Sequence, residues 1–410
     1  MSTPACPDPV RDWAESGIAF LTGRPDGPPL IPPGRAATVA RERIAWIAEV
    51  TGGAVTLDGA ALLSERAAFT GHRRAGATSA GGACRLLPTA DGWAAVSCAR
   101  PDDPSLLGAL VGADVGEDPW PAVQAWLREH SGTELAERAE LLGVAAGPVA
   151  PPGGPVPQTL RPLNARPVAG LRVVDFSALW AGPLCAHLLG LAGARVVKVE
   201  TPSRPDGARR GNAEFYRLLH GGHESVVLDP TLVREREALA ALVAAADIVI
   251  EASRPRALRG FGVDPDGFVA RGGTWISITA CGRASDRIGF GDDIAAGAGL
   301  VARDGAGPMF VGDALADPLT GLTAAALAMS APADGSGTLW DISMAAVVAA
   351  TLTLTEAVAG HAYRRHGRWW SDTATGPAAI AEPQRRTPRG AVAAPGRDTA
   401  SVLAELGIAS

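Results

Sequence analysis

Between residues 171 and 279, short apolar runs alternate with helical stretches, and this rhythm restricts the chain to few folds. Runs 171–176, 195–199, 225–228, 247–251 and 274–279 read as strands. Segments 182–191 and 238–246, lying between them, have helical periodicity. Strand, helix and strand in this order predict a parallel sheet with crossover helices.

The 410 residues divide at the Pro- and Gly-rich stretch 147–157. We read three parts: 1–160, 161–370 and a tail, 371–410. In the first part, 36–50 and 119–142 read as helical, and 92–97 reads as a strand after the turn Ala90-Asp91-Gly92. The tail is rich in Pro, Arg, Ala and Gly and reads as irregular, ending in a short helix at 399–406. A weak internal repeat is also present. Ser16-Gly17-Ile18 through Gly27-Pro28-Pro29-Leu30-Ile31 matches Ala298-Gly299-Leu300 through Gly307-Pro308-Met309-Phe310-Val311. Val55-Thr56-Leu57-Asp58 matches Thr338-Leu339-Trp340-Asp341, and the spacing sets Ala37 opposite Asp317. The alternative is chance similarity of Gly/Ala-rich segments.

A 47% hydrophobic content with 20% charged residues can bury a core. The net charge of −6 argues against a general nucleic-acid surface, which needs clustered positive charge. Lys198 is the only lysine; with 50 Gly and 33 Pro, this fits the coding bias of a GC-rich genome and weakens any argument from arginine number. Cys6, Cys84, Cys98, Cys185 and Cys281 are scattered without C-x-x-C spacing. They predict no zinc site and fit reduced thiols, hence a cytoplasmic protein. No signal peptide is expected from 1–13, and no run of about 18 apolar residues predicts a membrane span.

A dinucleotide site needs G-x-G-x-x-G in the first strand-to-helix turn. Here that turn is Phe176-Ser177-Ala178-Leu179-Trp180-Ala181-Gly182-Pro183, so a dinucleotide role is disfavoured. No Walker loop, G-x-S-x-G elbow or His-Glu-x-x-His occurs.

Other motifs occur in a telling order. Leu171-Arg172-Val173-Val174-Asp175-Phe176-Ser177, then Ala181-Gly182-Pro183, then Gly193-Ala194-Arg195-Val196-Val197-Lys198-Val199-Glu200 resemble the opening of family III CoA-transferases. Ser225-Val226-Val227-Leu228-Asp229, Ala246-Asp247-Ile248-Val249-Ile250-Glu251 with Arg254-Pro255, and Ser277-Ile278-Thr279-Ala280-Cys281-Gly282 continue the resemblance. Ala316-Asp317-Pro318-Leu319-Thr320-Gly321 is similar to the family's AD-x-x-x-G segment, and Asp341-Ile342-Ser343-Met344 to its VDVSM segment. The resemblance covers 169–350. It implies an α/β fold: a Rossmann-like parallel-sheet large domain with a second, smaller α+β domain.

The resemblance makes Asp317 the nucleophile of a CoA-transferase that moves CoA from an acyl-CoA thioester to a carboxylic acid. A carboxylate titrates near about 4 and is ionised at neutral pH without a helper base. The plain alternative is an N-cap, followed by Pro at the first helical position. Asp313 reads as a turn residue. Asp292 and Asp293 stand where related racemases carry His-Asp, and a helix N-terminal charge is their commoner role. Lys198, Arg204, Arg209, Arg254 and Arg259 follow strand ends and are the candidates for holding CoA phosphates. Gly297 and Gly299 are candidate oxyanion donors. No metal and no permanently bound cofactor are implied; the CoA thioester is substrate.

The chain departs from the family at Thr201, at His220-Gly221-Gly222-His223, at Ala252-Ser253 and at Gly260. Its order of parts differs too. Arg85-Leu86-Leu87, Ala90 through Val96, Glu134-Leu135 and 143–149 resemble the family's small domain, which there follows the VDVSM segment. Residues 1–160 therefore read as a decayed family copy that kept the small domain, with Ala37 at its nucleophile position. The resemblance implies a homodimer, or one chain folding as a pseudo-dimer. The alternative functions are an acyl-CoA racemase or isomerase, and a non-catalytic paralogue.

Overall fold

The computed structural model describes residues 8–150, 160–252, 258, 260–352 and 362–407. Six strands form one parallel sheet in the order Thr338–Ser343, Thr274–Thr279, Ile248–Glu251, Arg172–Asp175, Arg195–Glu200, Glu224–Val227. Five are the strands expected from the sequence. The sixth, Thr338–Ser343, is only half-buried over its first four residues, so its strand signal is weaker. The chain builds outward from Arg172–Asp175 in one direction and then returns to build in the other. The switch point therefore lies at the carboxyl end of that strand, where open α/β sheets bind ligands.

Side-chain alternation divides the sheet into two faces. Val173, Val196, Ile248, Ile250 and Ile276 pack on one side, with Leu184 and Leu188 of the helix Ala181–Leu191 and Leu319 and Leu322 of the helix Ala316–Ala328. Val174, Val197, Val249 and Trp275 face the other, against Leu239, Leu242 and Phe268. Strands covered on both faces read as unbroken Val/Ile runs, which is why they were legible. Gly321 lets the two inner helices touch: a Cβ there would come within 2.6 Å of the Ala181 carbonyl oxygen.

In the first half, the helix Ala36–Val50 forms as expected and packs on Ala316–Ala328. The helical segment 119–142 is two helices, Trp120–Glu129 and Gly132–Leu142. Ser131 caps the second by accepting from the Glu134 N–H at 3.2 Å. Cys84–Pro88, Trp93–Ser97 and Ala146–Pro148 form an antiparallel sheet over its own core of Leu107, Leu127, Leu135 and Val144.

Several features recur about 280 positions apart. Ala36 and Ala316 each begin a long helix. Each is preceded two residues earlier by a left-handed residue, Gly34 (φ 75°) and Ala314 (φ 48°). Gly17 (φ 80°) and Gly299 (φ 96°) also correspond. The helix Pro9–Glu15 packs on the antiparallel strands Arg368–Ser371 and Ala378–Ala379, while the helix Gly291–Gly297 packs on Trp93–Ser97 and Ala146–Pro148.

The tail is irregular over 380–398, as expected, and is docked at several points. Ala378–Ala379 is a strand, and Arg386 grips Glu65 with two hydrogen bonds of 2.8 Å. Asp398 caps the edge strand, its N–H donating to the Ser225 carbonyl at 2.9 Å and its Oδ2 accepting from the Ser225 N–H at 2.8 Å. This satisfies edge groups that would otherwise be open to pairing with another chain. The terminal helix spans Thr399–Glu405.

Candidate functional site

The hairpin Val301–Asp304/Gly307–Phe310 leads into the turn Gly312-Asp313-Ala314-Leu315, and Ala316 begins the long helix. Leu315 is the N-cap, so Asp317 lies in the first turn and is not the cap that its following proline suggested. The turn is tight. Ala314 has a left-handed φ of 48°, which costs a non-glycine residue energy. Its N–H donates to Asp292 Oδ1 at 2.8 Å, and its carbonyl accepts from the Asp317 N–H at 2.9 Å. Gly291 backs directly onto the Asp317 carboxylate: a Cβ there would stand 2.3 Å from Asp317 Oδ2.

Four carboxylates converge here. Burial pushes Asp317 up to about 7, against the opposing pull of Arg66. Burial, then the neighbouring Asp313 charge, pushes Asp292 up to about 7. Burial also raises Asp293, to about 6, although it accepts from Ser97 Oγ and the Phe290 N–H, each at 2.9 Å. Asp313 goes the other way. It has no solvent exposure, yet Arg66 holds it well below the usual carboxylate range. Arg66 Nε donates to Asp313 Oδ2 at 2.9 Å, and His72 Nδ1 lies 3.2 Å from the same oxygen.

Arg66, His72 and Ser97 were not found by sequence reasoning. Arg66 and Asp313 are 247 positions apart and belong to no shared motif, so only the tertiary fold brings them together. Asp292 and Asp293 occupy the first turn of Gly291–Gly297, as expected. Asp313 is a turn residue, but a buried and ion-paired one. Gly297 and Gly299 lie at the far end of that helix, and the Gly299 N–H already donates to the Ala296 carbonyl. Gly291 is the glycine that meets Asp317.

Of the CoA-holding candidates, Lys198 is 2% exposed. Its Nζ donates to the Ser177 carbonyl at 2.7 Å and lies 3.0 Å from Asp206 Oδ2 and 3.8 Å from Asp175 Oδ2. The ammonium therefore faces inward, where it organises the switch point and does not line an open cleft. Arg209 pairs with Glu200 through Nε at 2.9 Å and lies over Tyr216. Arg204 is exposed on the loop after Arg195–Glu200. Arg254 and Arg259 fall outside the described residues. Among the described residues, no group of three or more His, Cys, Asp or Glu could hold a metal ion.

The fold and site define an α/β protein with a part-buried helix-terminal carboxylate at the mouth of a doubly wound sheet. The chain belongs to CoA-transferase family III, whose model matches residues 168–375. It is 34% identical over 116 residues to the probable fatty acyl-CoA transferase Rv3272 of Mycobacterium tuberculosis, covering 26% of this chain and 29% of that protein. To the formyl-CoA:oxalate CoA-transferase of Afipia carboxidovorans it is 31% identical over 101 residues, covering 23% and 24%. The chain thus matches under a third of the length of these curated relatives. The crystal structure of Rv3272 superposes with a TM-score of 0.46 at 26% identity, over 52% of this chain and 65% of that one. A CAIB/BAIF family protein from Brucella suis gives 0.41 at 28%, over 46% and 55%.

Proposed function

We propose that this chain transfers CoA from an acyl-CoA thioester to a carboxylic acid, with Asp317 as nucleophile. The observation that carries the reading is the placement of Asp317 at the AD-x-x-x-G position, in a helix first turn and backed by Gly291. A carboxylate pushed up to about 7 is only part-ionised at neutral pH, unlike the free side chain. Its anion is poorly solvated and correspondingly reactive. In the reaction, an Asp317 carboxylate oxygen attacks the thioester carbonyl, the C–S bond breaks, and an acyl–aspartyl anhydride and CoA thiolate form. The thiolate attacks the aspartyl carbonyl, releasing the first acid as its carboxylate and leaving an aspartyl–CoA thioester. The acceptor carboxylate then repeats the sequence in reverse.

Arg204 and Arg209, at the carboxyl end of Arg195–Glu200, are the described candidates for CoA phosphates; Arg254 and Arg259 remain candidates outside the described residues. Residues 1–160 are read as a decayed copy of the same unit. The recurring helices and left-handed residues, and the reciprocal packing of Pro9–Glu15 and Gly291–Gly297, support that reading and a pseudo-dimer within one chain. No helix among the described residues is long and apolar enough to cross a membrane.

A second reading is acyl-CoA isomerisation by paired acid and base. It is favoured by Asp292, which is pushed up like Asp317 and coupled to it. One experiment separates the two. The protein is incubated with a panel of acyl-CoAs, with hydroxylamine, in deuterated water. Transfer chemistry converts the Asp317 side chain to a hydroxamate, seen by peptide mass spectrometry. Isomerisation instead puts deuterium on the substrate α-carbon and leaves Asp317 unmodified. An unmodified peptide across the whole panel would defeat the transferase reading.

A further inference from the structure

Two side chains from the first half reach the turn that carries Asp317. Arg66, in the helix Glu65–Thr70, makes a two-pronged contact with Asp313, and His72 approaches the same carboxylate. A planar fork gripping a carboxylate fixes its orientation as well as its charge. Asp313 immediately precedes the strained Ala314, so this grip holds the turn in its left-handed form. The Arg66 guanidinium also lies 5.0 Å from the ring centroid of Trp180, on the loop after Arg172–Asp175. One cation therefore ties the nucleophile turn to the loop at the sheet's switch point. The charged groups facing Asp317 are the carboxylates Asp292, Asp293 and Asp313 and the guanidinium of Arg66; His72 and Arg287 stand behind Asp313 and Asp293.

We propose that Arg66 is the positioning residue of this site: a guanidinium from the first half that locks the 312–316 turn through Asp313 and supplies the positive charge facing Asp292 and Asp317. The site is then complete only when both halves of the chain are present. This rests on Asp317 being the nucleophile, but the titration midpoint that decides it is read without any transfer reaction.

A water-soluble carbodiimide with an added amine amidates carboxyl groups in their protonated form, and Asp317 retains partial solvent contact. Peptide mass spectrometry then gives the fraction of Asp317 labelled against pH. The wild-type midpoint is expected near 7. Arg66→Gln should move it up by about one pH unit or more, because the compensating charge is lost. Asp313→Asn should move it down, because Arg66 then faces Asp317 without a competing anion. Arg66→Lys keeps the charge and should leave the midpoint in place while lowering kcat for transfer, because the fork is lost. A variant that merely failed to fold would bring Asp317 down toward its ordinary value of about 4, so an upward shift in Arg66→Gln cannot come from unfolding. An unchanged or lowered midpoint in Arg66→Gln, or a Lys variant that behaves like Gln, would overturn the proposal. The hydroxylamine experiment can fail while this one succeeds, and the reverse.

Discussion

Asp317→Asn is expected to melt higher than the wild type at neutral and alkaline pH, to melt alike below about pH 4, and to have lost CoA transfer. The sign follows from the direction of the shift. The folded-state value of Asp317 is raised, from the ordinary carboxylate range to about 7. Between those values the native state holds a proton that the unfolded chain has released, so stability falls as pH rises. The contribution of the protonated form is fully present below about 4 and is lost as pH passes through about 7. Asparagine copies the uncharged form at every pH, so its advantage grows from about pH 4 and is complete above about 7. The size of the shift bounds that advantage at about 4 kcal/mol. Relaxation and partial solvent contact reduce it to about 1–2 kcal/mol. Thermal melts of both proteins at about pH 3.5 and about pH 8.5 would measure it, and a pH-independent difference would refute it. Activity should fall by at least about 10³-fold, the usual consequence of deleting a covalent nucleophile. A nucleophile at Asp317 that destabilises the fold at neutral pH would be a case of the common trade between stability and function.

How much of this was legible in the sequence depended on whether a signal was local. The parallel strands carry Val173, Val174, Val197, Ile248 and Val249 buried on both faces, and such runs announce themselves. Thr338–Ser343 joins the same sheet with Thr338 through Asp341 only half-buried, and its pattern is correspondingly faint. Asp317 was found through a motif whose glycine, Gly321, has a plain packing reason. Arg66 and His72 were not found, because side-chain contacts across 241 to 247 positions follow from how two halves dock, and no local pattern encodes that. The tail reads as irregular, which it is over 380–398, but its docking had no local signal. Its composition does exclude regular structure over much of its length, yet Arg386 and Asp398 hold it against Glu65 and Ser225. Irregular backbone can still be tightly bound when its side chains supply the partners.

Lys198 is where the sequence pointed to the right place for the wrong reason, and it carries the other large prediction. It ends near the carboxyl edge of the sheet, where a phosphate-binding cation would belong. But Lys198 is the register partner of Asp175 on the adjacent parallel strand. An acid and a base at matched positions of neighbouring parallel strands point to the same face, and here that face is buried. Asp206 completes the arrangement, and its Oδ1 also accepts from the Leu179 and Ala208 N–H groups at 3.0 and 2.9 Å. The loops after two strands therefore hang on one carboxylate that Lys198 neutralises. Burial, then the Lys198 charge, keeps the neighbouring His220 neutral, so that imidazole cannot replace the missing cation near neutral pH. Lys198→Met should cost about 3–5 kcal/mol, the range for removing one partner of a buried ion pair. The loss should be smaller in mild acid, where Asp175, already raised by burial, can take up a proton instead. Adding Asp206→Asn to Lys198→Met should recover part of the loss. Because Lys198 is the only lysine in the chain, its placement can also be read chemically. A succinimidyl ester should leave Lys198 unmodified in the folded protein and label it only on unfolding, at the same rate with or without CoA. Rapid labelling of the native protein that CoA suppresses would return Lys198 to the cleft and remove it from the core.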